Sequence, residues 1–117
     1  MKVLVVDDEQ LVRWFLERAL KKWGHDVVSV SNTKEAMQHI DTQPFDVMFT
    51  DLRMPGGNGA NLVKSLSEKP DKDMRIVICS AFITPEMVMD FSDRGILTLK
   101  KPFKLSELES TLKQVNA

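Results

Sequence analysis

The stretch VLVVDDEQ, residues 3–10, runs four apolar residues straight into Asp7, Asp8 and Glu9 with no turn residue between them. A β-branched and aliphatic run without polar alternation suits a strand covered on both faces, as in a parallel sheet with helices on either side. The carboxylates at its end then need a reason. Either they receive a ligand at the sheet's edge, or they form the first turn of the next helix, where negative charge is favourable.

The pattern repeats outward from this stretch. Apolar runs predict strands at Lys2–Val6, Asp26–Val30, Val47–Asp51, Arg75–Ser80 and Ile96–Lys100. Helical periodicity falls between and after them at Gln10–Trp23, Lys34–Asp41, Ala60–Ser67, Pro85–Asp93 and Glu107–Val115. Gly24 and Gly95 follow two of the helices as C-terminal caps. Thr84 before Pro85 reads as an N-cap and first helical residue, and Ser106 with Glu109 as a capping box. Five βα units in succession imply a doubly wound α/β domain spanning residues 1–117, with a five-stranded parallel sheet between two helical layers.

Composition narrows the function. A net charge of −1 with 28% charged residues argues against a nucleic-acid surface or a polybasic membrane contact. No apolar run approaches a membrane span and no signal-peptide pattern follows Met1, so a cytoplasmic location is expected. One cysteine, Cys79, forms no internal disulfide, and one cysteine with two histidines argues against a structural zinc site.

Strands of such a sheet all point their carboxyl ends to one edge, and ligands bind outside it. Asp7 and Asp8 end the first strand, Asp51 the third and Ser80 the fourth, while Lys101 follows the fifth. That coincidence favours a site over a simple helix start. Converging carboxylates repel unless a cation or a lysine neutralises them, and hard oxygen ligands at a wet edge suit Mg²⁺.

In this order and spacing VLVVDDE, DLRMPGGNG, VICSA and LKKPF resemble the receiver domain of two-component response regulators. The likeness runs from Lys2 to about Val115. It implies a flavodoxin-like (βα)5 fold of strand order 2-1-3-4-5 and a phosphorylation-activated signalling switch. Asp51 would take a phosphoryl group from a sensor histidine kinase or phosphotransfer protein. Asp8 and Asp51 would ligate Mg²⁺ directly, Asp7 through a water, and the backbone carbonyl of Arg53 would complete the protein ligands. Lys101 would pair with Asp51 or a phosphoryl oxygen, aimed by a cis bond to Pro102, and Ser80 would hydrogen-bond another oxygen. Lys100, on the opposite face of its strand, would not. The resemblance also implies a domain that catalyses its own phosphotransfer and autodephosphorylation, and a homodimer face on the fourth helix, fifth strand and fifth helix.

One position departs from the family. Receivers commonly carry Tyr or Phe three residues before the lysine, where this chain has Thr98; the nearest strand-end aromatic is Phe82. On the first helix Val12, Phe15, Leu16, Ala19, Leu20 and Trp23 form the expected core face. Leu11 and Trp14 fall outside it, on the helix by which receivers dock their kinase. MPGGNG, residues 54–59, lacks the ending of a Walker motif and reads as a flexible loop, and KPDKD, residues 69–73, as a polar one. Rival readings are a Mg²⁺-dependent phosphohydrolase, a flavodoxin and a receiver that signals without phosphate. The first needs a second acid two residues past the nucleophile and a cap domain. The second lacks Tyr and a hydroxyl-rich first loop, and intact Asp8, Asp51, Ser80 and Lys101 oppose the third.

Overall fold

The computed structural model describes residues 1–54, 57–67 and 73–116. Its strands are β1 (Lys2–Val6), β2 (Asp26–Val30), β3 (Val47–Thr50), β4 (Arg53–Met54), β5 (Gly57–Asn58), β6 (Arg75–Ser80) and β7 (Leu97–Lys100). The helices are α1 (Gln10–Lys22), α2 (Thr33–Thr42), α3 (Gly59–Ser67), α4 (Pro85–Asp93) and α5 (Leu105–Val115).

Five of the strands make one parallel sheet in the order β2-β1-β3-β6-β7. Counted among themselves these are strands 2-1-3-4-5, the flavodoxin-like order. β4 and β5 form a separate two-residue antiparallel ribbon. The segment expected to be a plain loop is therefore paired backbone at both ends, with residues 55 and 56 outside those described; so are residues 69–72 of KPDKD.

The VLVV run shows why the sheet is two-sided. Val3 and Val5 pack with Leu16, Leu20, Leu108 and Leu112 from α1 and α5, whereas Leu4 and Val6 pack with Ala36, Ile40, Leu62 and Leu66 from α2 and α3. Alternate side chains of a strand point to opposite faces, so a strand buried on both sides must be apolar throughout. All four residues are fully buried. With both faces covered, the strand ends are where polar side chains from different strands can meet.

Helix ends follow the local chemistry. Gly24 and Gly95 adopt φ of +87° and +75°, the left-handed turn expected after α1 and α4. Thr84 Oγ1 accepts the Met87 amide at 3.2 Å and caps α4, and Asn32 Oδ1 accepts the Glu35 amide at 2.9 Å and caps α2. The capping box expected at Ser106 and Glu109 lies elsewhere. α5 begins two residues earlier, with Lys104 at the N-cap, and the Glu107 carboxylate accepts the Lys104 amide at 2.9 Å. Glu107 does this without a hydroxyl partner, so a search for Ser or Thr misplaces the start.

On α1 the core face is narrower than its periodicity suggests. Leu16, Ala19 and Leu20 are buried, with Val12 and Trp23 packed beside them. Phe15 sits at the margin, 39% exposed, its ring meeting Phe103 edge-on at 5.7 Å. Leu11 and Trp14 are 76% and 55% exposed, off the core as expected. Leu16→Ala should therefore cost about 2–5 kcal/mol, as large-to-small changes in a packed core do. Trp14→Ala should change stability by only about 0.5 kcal/mol. Urea unfolding measures both, and a Trp14→Ala loss as large as that of Leu16→Ala would overturn the assigned helix face.

Candidate functional site

Parallel pairing brings the strand ends into line. Val6 at the end of β1 lies beside Thr50 of β3 and Val30 of β2, and Ser80 of β6 beside Lys100 of β7. The next residues continue the ladder briefly. Asp7 donates its amide to the Val30 carbonyl and Asp51 to the Val6 carbonyl, both at 3.2 Å, and Lys101 donates to the Ser80 carbonyl at 2.9 Å. The backbone thereby carries Asp7, Asp51 and Lys101 one residue past the buried sheet, where a charged side chain can turn toward its neighbours.

The side chains meet there. Lys101 Nζ lies 2.7 Å from Asp7 Oδ2, 2.8 Å from Asp51 Oδ2 and 3.1 Å from Glu9 Oε1. Asp7, Asp8, Glu9 and Asp51 each offer a carboxylate oxygen within 4.8 Å of the others. Asp7 and Asp51 are buried, whereas Asp8 and Glu9 are exposed. Asp7 is further fixed by the Glu9 amide, 2.9 Å from Oδ1, and its carbonyl by Arg13 at 2.6 Å. Asp51 Oδ1 accepts the Leu52 amide at 2.6 Å. Ser80 is buried at the same edge, its hydroxyl accepting the Phe82 amide at 3.2 Å. The Lys101–Pro102 bond is cis, and Lys100 is exposed and outside the cluster. Arg53 opens the β4–β5 ribbon two residues past Asp51. Phe82 is largely exposed and Thr98 half-buried on β7.

Electrostatics of the cluster are lopsided. Burial works against the Lys101 ammonium, but the hydrogen bonds it donates to Asp51 and Asp7 and the Asp7 charge outweigh it and raise its pKa above the ordinary lysine value. Burial also raises the Asp7 carboxyl, and contact with Lys101 only partly offsets it. Four carboxylates thus face one ammonium. The donor set is hard oxygen throughout and gathered at an edge that water reaches, which fits Mg²⁺ and offers no soft ligand.

A protein-family model for the response regulator receiver domain matches residues 3–113. The chain belongs to that family. It is 34% identical over 116 residues to the sensory/regulatory protein RpfC of Xanthomonas campestris, a match covering 96% of this chain but only 16% of RpfC. Among solved structures, the chemotaxis response regulator CheY4 of Vibrio cholerae superposes with a TM-score of 0.86 at 29% identity, covering 97% of both chains. Response regulator TrrA of Thermotoga maritima, solved in complex with Mg²⁺–BeF, gives 0.82 at 26% identity over 97% of both chains.

As a receiver domain, the chain takes part in two-component phosphorylation signalling. Among the described residues no helix is long and apolar enough to cross a membrane. Asp7, Asp8, Asp51 and Lys101 come together at this edge, and Ser80 joins it through its carbonyl, which accepts the Lys101 amide. Glu9 was missed. It follows Asp8 directly, but only its longer side chain, folding back 3.1 Å from a lysine 92 residues away, makes it part of the cluster.

A raised Asp7 pKa has a consequence for stability. A carboxyl with a folded pKa above its unfolded one weakens the fold once ionised, and the penalty fades as pH falls through the folded value. Asp7→Asn, studied in chelator, should therefore raise the urea midpoint at pH 7, and the gap over wild type should shrink on acidification. A midpoint that falls would show that the lost Lys101 contact outweighs the burial of the charge.

Proposed function

We propose that Asp51 accepts a phosphoryl group from a histidine kinase or phosphotransfer protein, and that the resulting acyl phosphate switches the domain's partners. The observation that carries this reading is the Asp51 carboxylate, buried at a strand end and 2.8 Å from the Lys101 ammonium. In the transfer an Asp51 oxygen bonds to phosphorus while the bond from phosphorus to the donor's histidine nitrogen breaks. The nitrogen keeps the electron pair. Backbone bonds to Leu52 and Val6 hold Asp51 in place, so positioning precedes the chemistry. Lys101 meets the charge of the new phosphoryl oxygens, and the Ser80 hydroxyl donates to another. Arg13 and the Glu9 amide keep Asp7 at the edge.

Asp8 and Asp51 would hold a Mg²⁺ ion directly, Asp7 through a water, with the Arg53 carbonyl as a further ligand. That the response regulator TrrA was solved in complex with Mg²⁺–BeF supports a role for Mg²⁺ in this fold. Bound there, the ion supplies positive charge that neutralises the transferring phosphoryl group. The same groups would serve autodephosphorylation, making the domain a catalyst of its own transfer rather than an enzyme with a small-molecule substrate.

Incubation with Mg²⁺ and acetyl phosphate should add one hydroxylamine-labile phosphoryl group to the wild-type protein and none to Asp51→Asn. Chelating the metal should abolish the label. Equal labelling of Asp51→Asn would move the phosphoacceptor elsewhere.

Leu11 and Trp14, both exposed on α1 just beyond the acidic edge, supply an apolar anchor of the type that concentrates binding energy at interfaces. Trp14→Ala should slow transfer from the cognate kinase by roughly tenfold, the cost of a modest hot spot, while acetyl phosphate labelling stays at the wild-type rate. Unimpaired kinase transfer would remove Trp14 from the docking surface.

A further inference from the structure

We propose that Thr50 is a positioning residue for the phosphoacceptor, its hydroxyl setting the peptide unit that clamps one oxygen of the Asp51 carboxylate. The inference rests on Asp51 being the phosphoacceptor and goes beyond it to what aims the nucleophile. Thr50 ends β3 and is completely buried, beside Val6 of β1 and Ile78 of β6. Its Oγ1 donates to the Asp51 carbonyl oxygen at 3.0 Å. From the other edge of the same peptide unit, the Leu52 amide donates to Asp51 Oδ1 at 2.6 Å. A trans peptide holds its C=O and N–H on opposite edges of one rigid plane, so whatever fixes the oxygen also fixes the direction of the N–H.

That direction matters because the plane of a carboxylate is chosen by its contacts. The second torsion of an Asp side chain is broad and weakly preferred on its own. Here the Leu52 amide holds Oδ1 and the Lys101 ammonium holds Oδ2 at 2.8 Å. A lysine on a flexible four-carbon stem can follow the carboxylate as it turns. A backbone amide follows only if its peptide plane swings, and the Thr50 hydroxyl resists that swing. An attacking oxygen must meet phosphorus in line, so an error in this plane is felt in the rate.

Thr50 acts through the backbone alone. Side chains alternate along β3, so Thr50 shares the face of Met48, the side covered by α2 and α3. Its hydroxyl meets the Asp51 carbonyl, not the carboxylate. Packing by itself would be served equally by valine, which has the same β-branched shape. The hydroxyl is what valine lacks, and it is spent on the one peptide unit that also grips the nucleophile. Shape and hydroxyl can therefore be separated by substitution.

The test compares initial labelling rates from acetyl phosphate in saturating Mg²⁺ for wild type, Thr50→Val, Thr50→Ser and Thr50→Ala. In that reaction an Asp51 oxygen bonds to phosphorus, the bond from phosphorus to the acetyl oxygen breaks, and acetate leaves with the electron pair. Thr50→Val should label roughly fivefold slower, the worth of one buried hydrogen bond. Thr50→Ser keeps the hydroxyl and should label at close to the wild-type rate, even where urea unfolding shows that losing the methyl has weakened the fold. Serine and alanine at this position differ only by the hydroxyl, so Thr50→Ala should be as slow as Thr50→Val. That pair decides the matter if Thr50→Val fails to fold. A second readout needs neither metal nor phosphate. The Leu52 amide proton, drawn downfield by its short bond to a carboxylate, should move upfield in Thr50→Val and Thr50→Ala and stay in place in Thr50→Ser. Equal labelling of Thr50→Ser and Thr50→Ala, with wild type labelled normally, makes the hydroxyl idle and overturns the proposal. So does a Leu52 amide that keeps its shift without the hydroxyl. Either result leaves the phosphoacceptor assignment standing. A wild-type protein that takes no label sinks the phosphoacceptor reading and the role of Thr50 with it.

Discussion

The Lys101 ammonium is the interaction on which the site depends. It arrives from the residue after β7 and closes on carboxylates from the ends of β1 and β3, so three strand ends are tied by one charge. Without a cation there, Asp7 and Asp51 would be buried anions side by side, an arrangement that protein interiors tolerate only when paired. The pairing is incomplete. Asp8 remains exposed beside the cluster, and Asp7 keeps a raised pKa despite its contact with Lys101. The cluster is therefore held together and still carries more carboxylates than its lysine can pair, the condition in which a divalent ion is attracted rather than excluded.

That shortage follows from the sheet. Val3 to Val6 leave no room for a polar side chain on either face, because each face is already filled by helices. Charged groups from different strands can gather only past the strand ends, and parallel pairing puts those ends on one side. The local backbone bonds of Asp7, Asp51 and Lys101 fix the last step from buried strand to exposed edge. Fold and site are in this sense one construction: the apolar runs that stabilise the sheet determine where the carboxylates must be.

The same logic explains what could be read from the chain. Strand order, helix positions and the meeting of Asp7, Asp8, Asp51 and Lys101 follow from periodicity, from chemistry at strand ends and from a motif set spread over the whole length. Other features depend on side-chain reach, which spacing does not encode. Glu9 looked like a helix-start acid because its partner is remote in sequence. Phe15 has the register of a core residue, yet its ring meets Phe103 edge-on at the rim, where the segment leading into α5 leaves it partly in solvent. The start of α5 was misplaced because Glu107 caps the Lys104 amide with no Ser or Thr to mark the position. The β4–β5 ribbon was hidden in a glycine-rich run whose composition signals a turn but not its pairing.

Ser80 shows how the site can be linked to the rest of the domain without the usual aromatic near the lysine. Its hydroxyl oxygen already accepts the Phe82 amide, so the loop after β6 is tied to the side chain at the site's edge. A hydroxyl can accept one hydrogen bond and donate another. Ser80 therefore keeps its proton available for an anionic oxygen while the Phe82 bond persists, and a charge-assisted bond is the stronger of the two. Any movement of Ser80 toward such an oxygen pulls on the backbone that leads directly to the Thr84 cap of α4. Among the described residues, Thr98, half-buried in the middle of β7, makes no comparable backbone tie to that loop. Coupling through a hydrogen-bonded loop needs no large ring to fill a vacated space, and so a threonine at position 98 is compatible with a working switch.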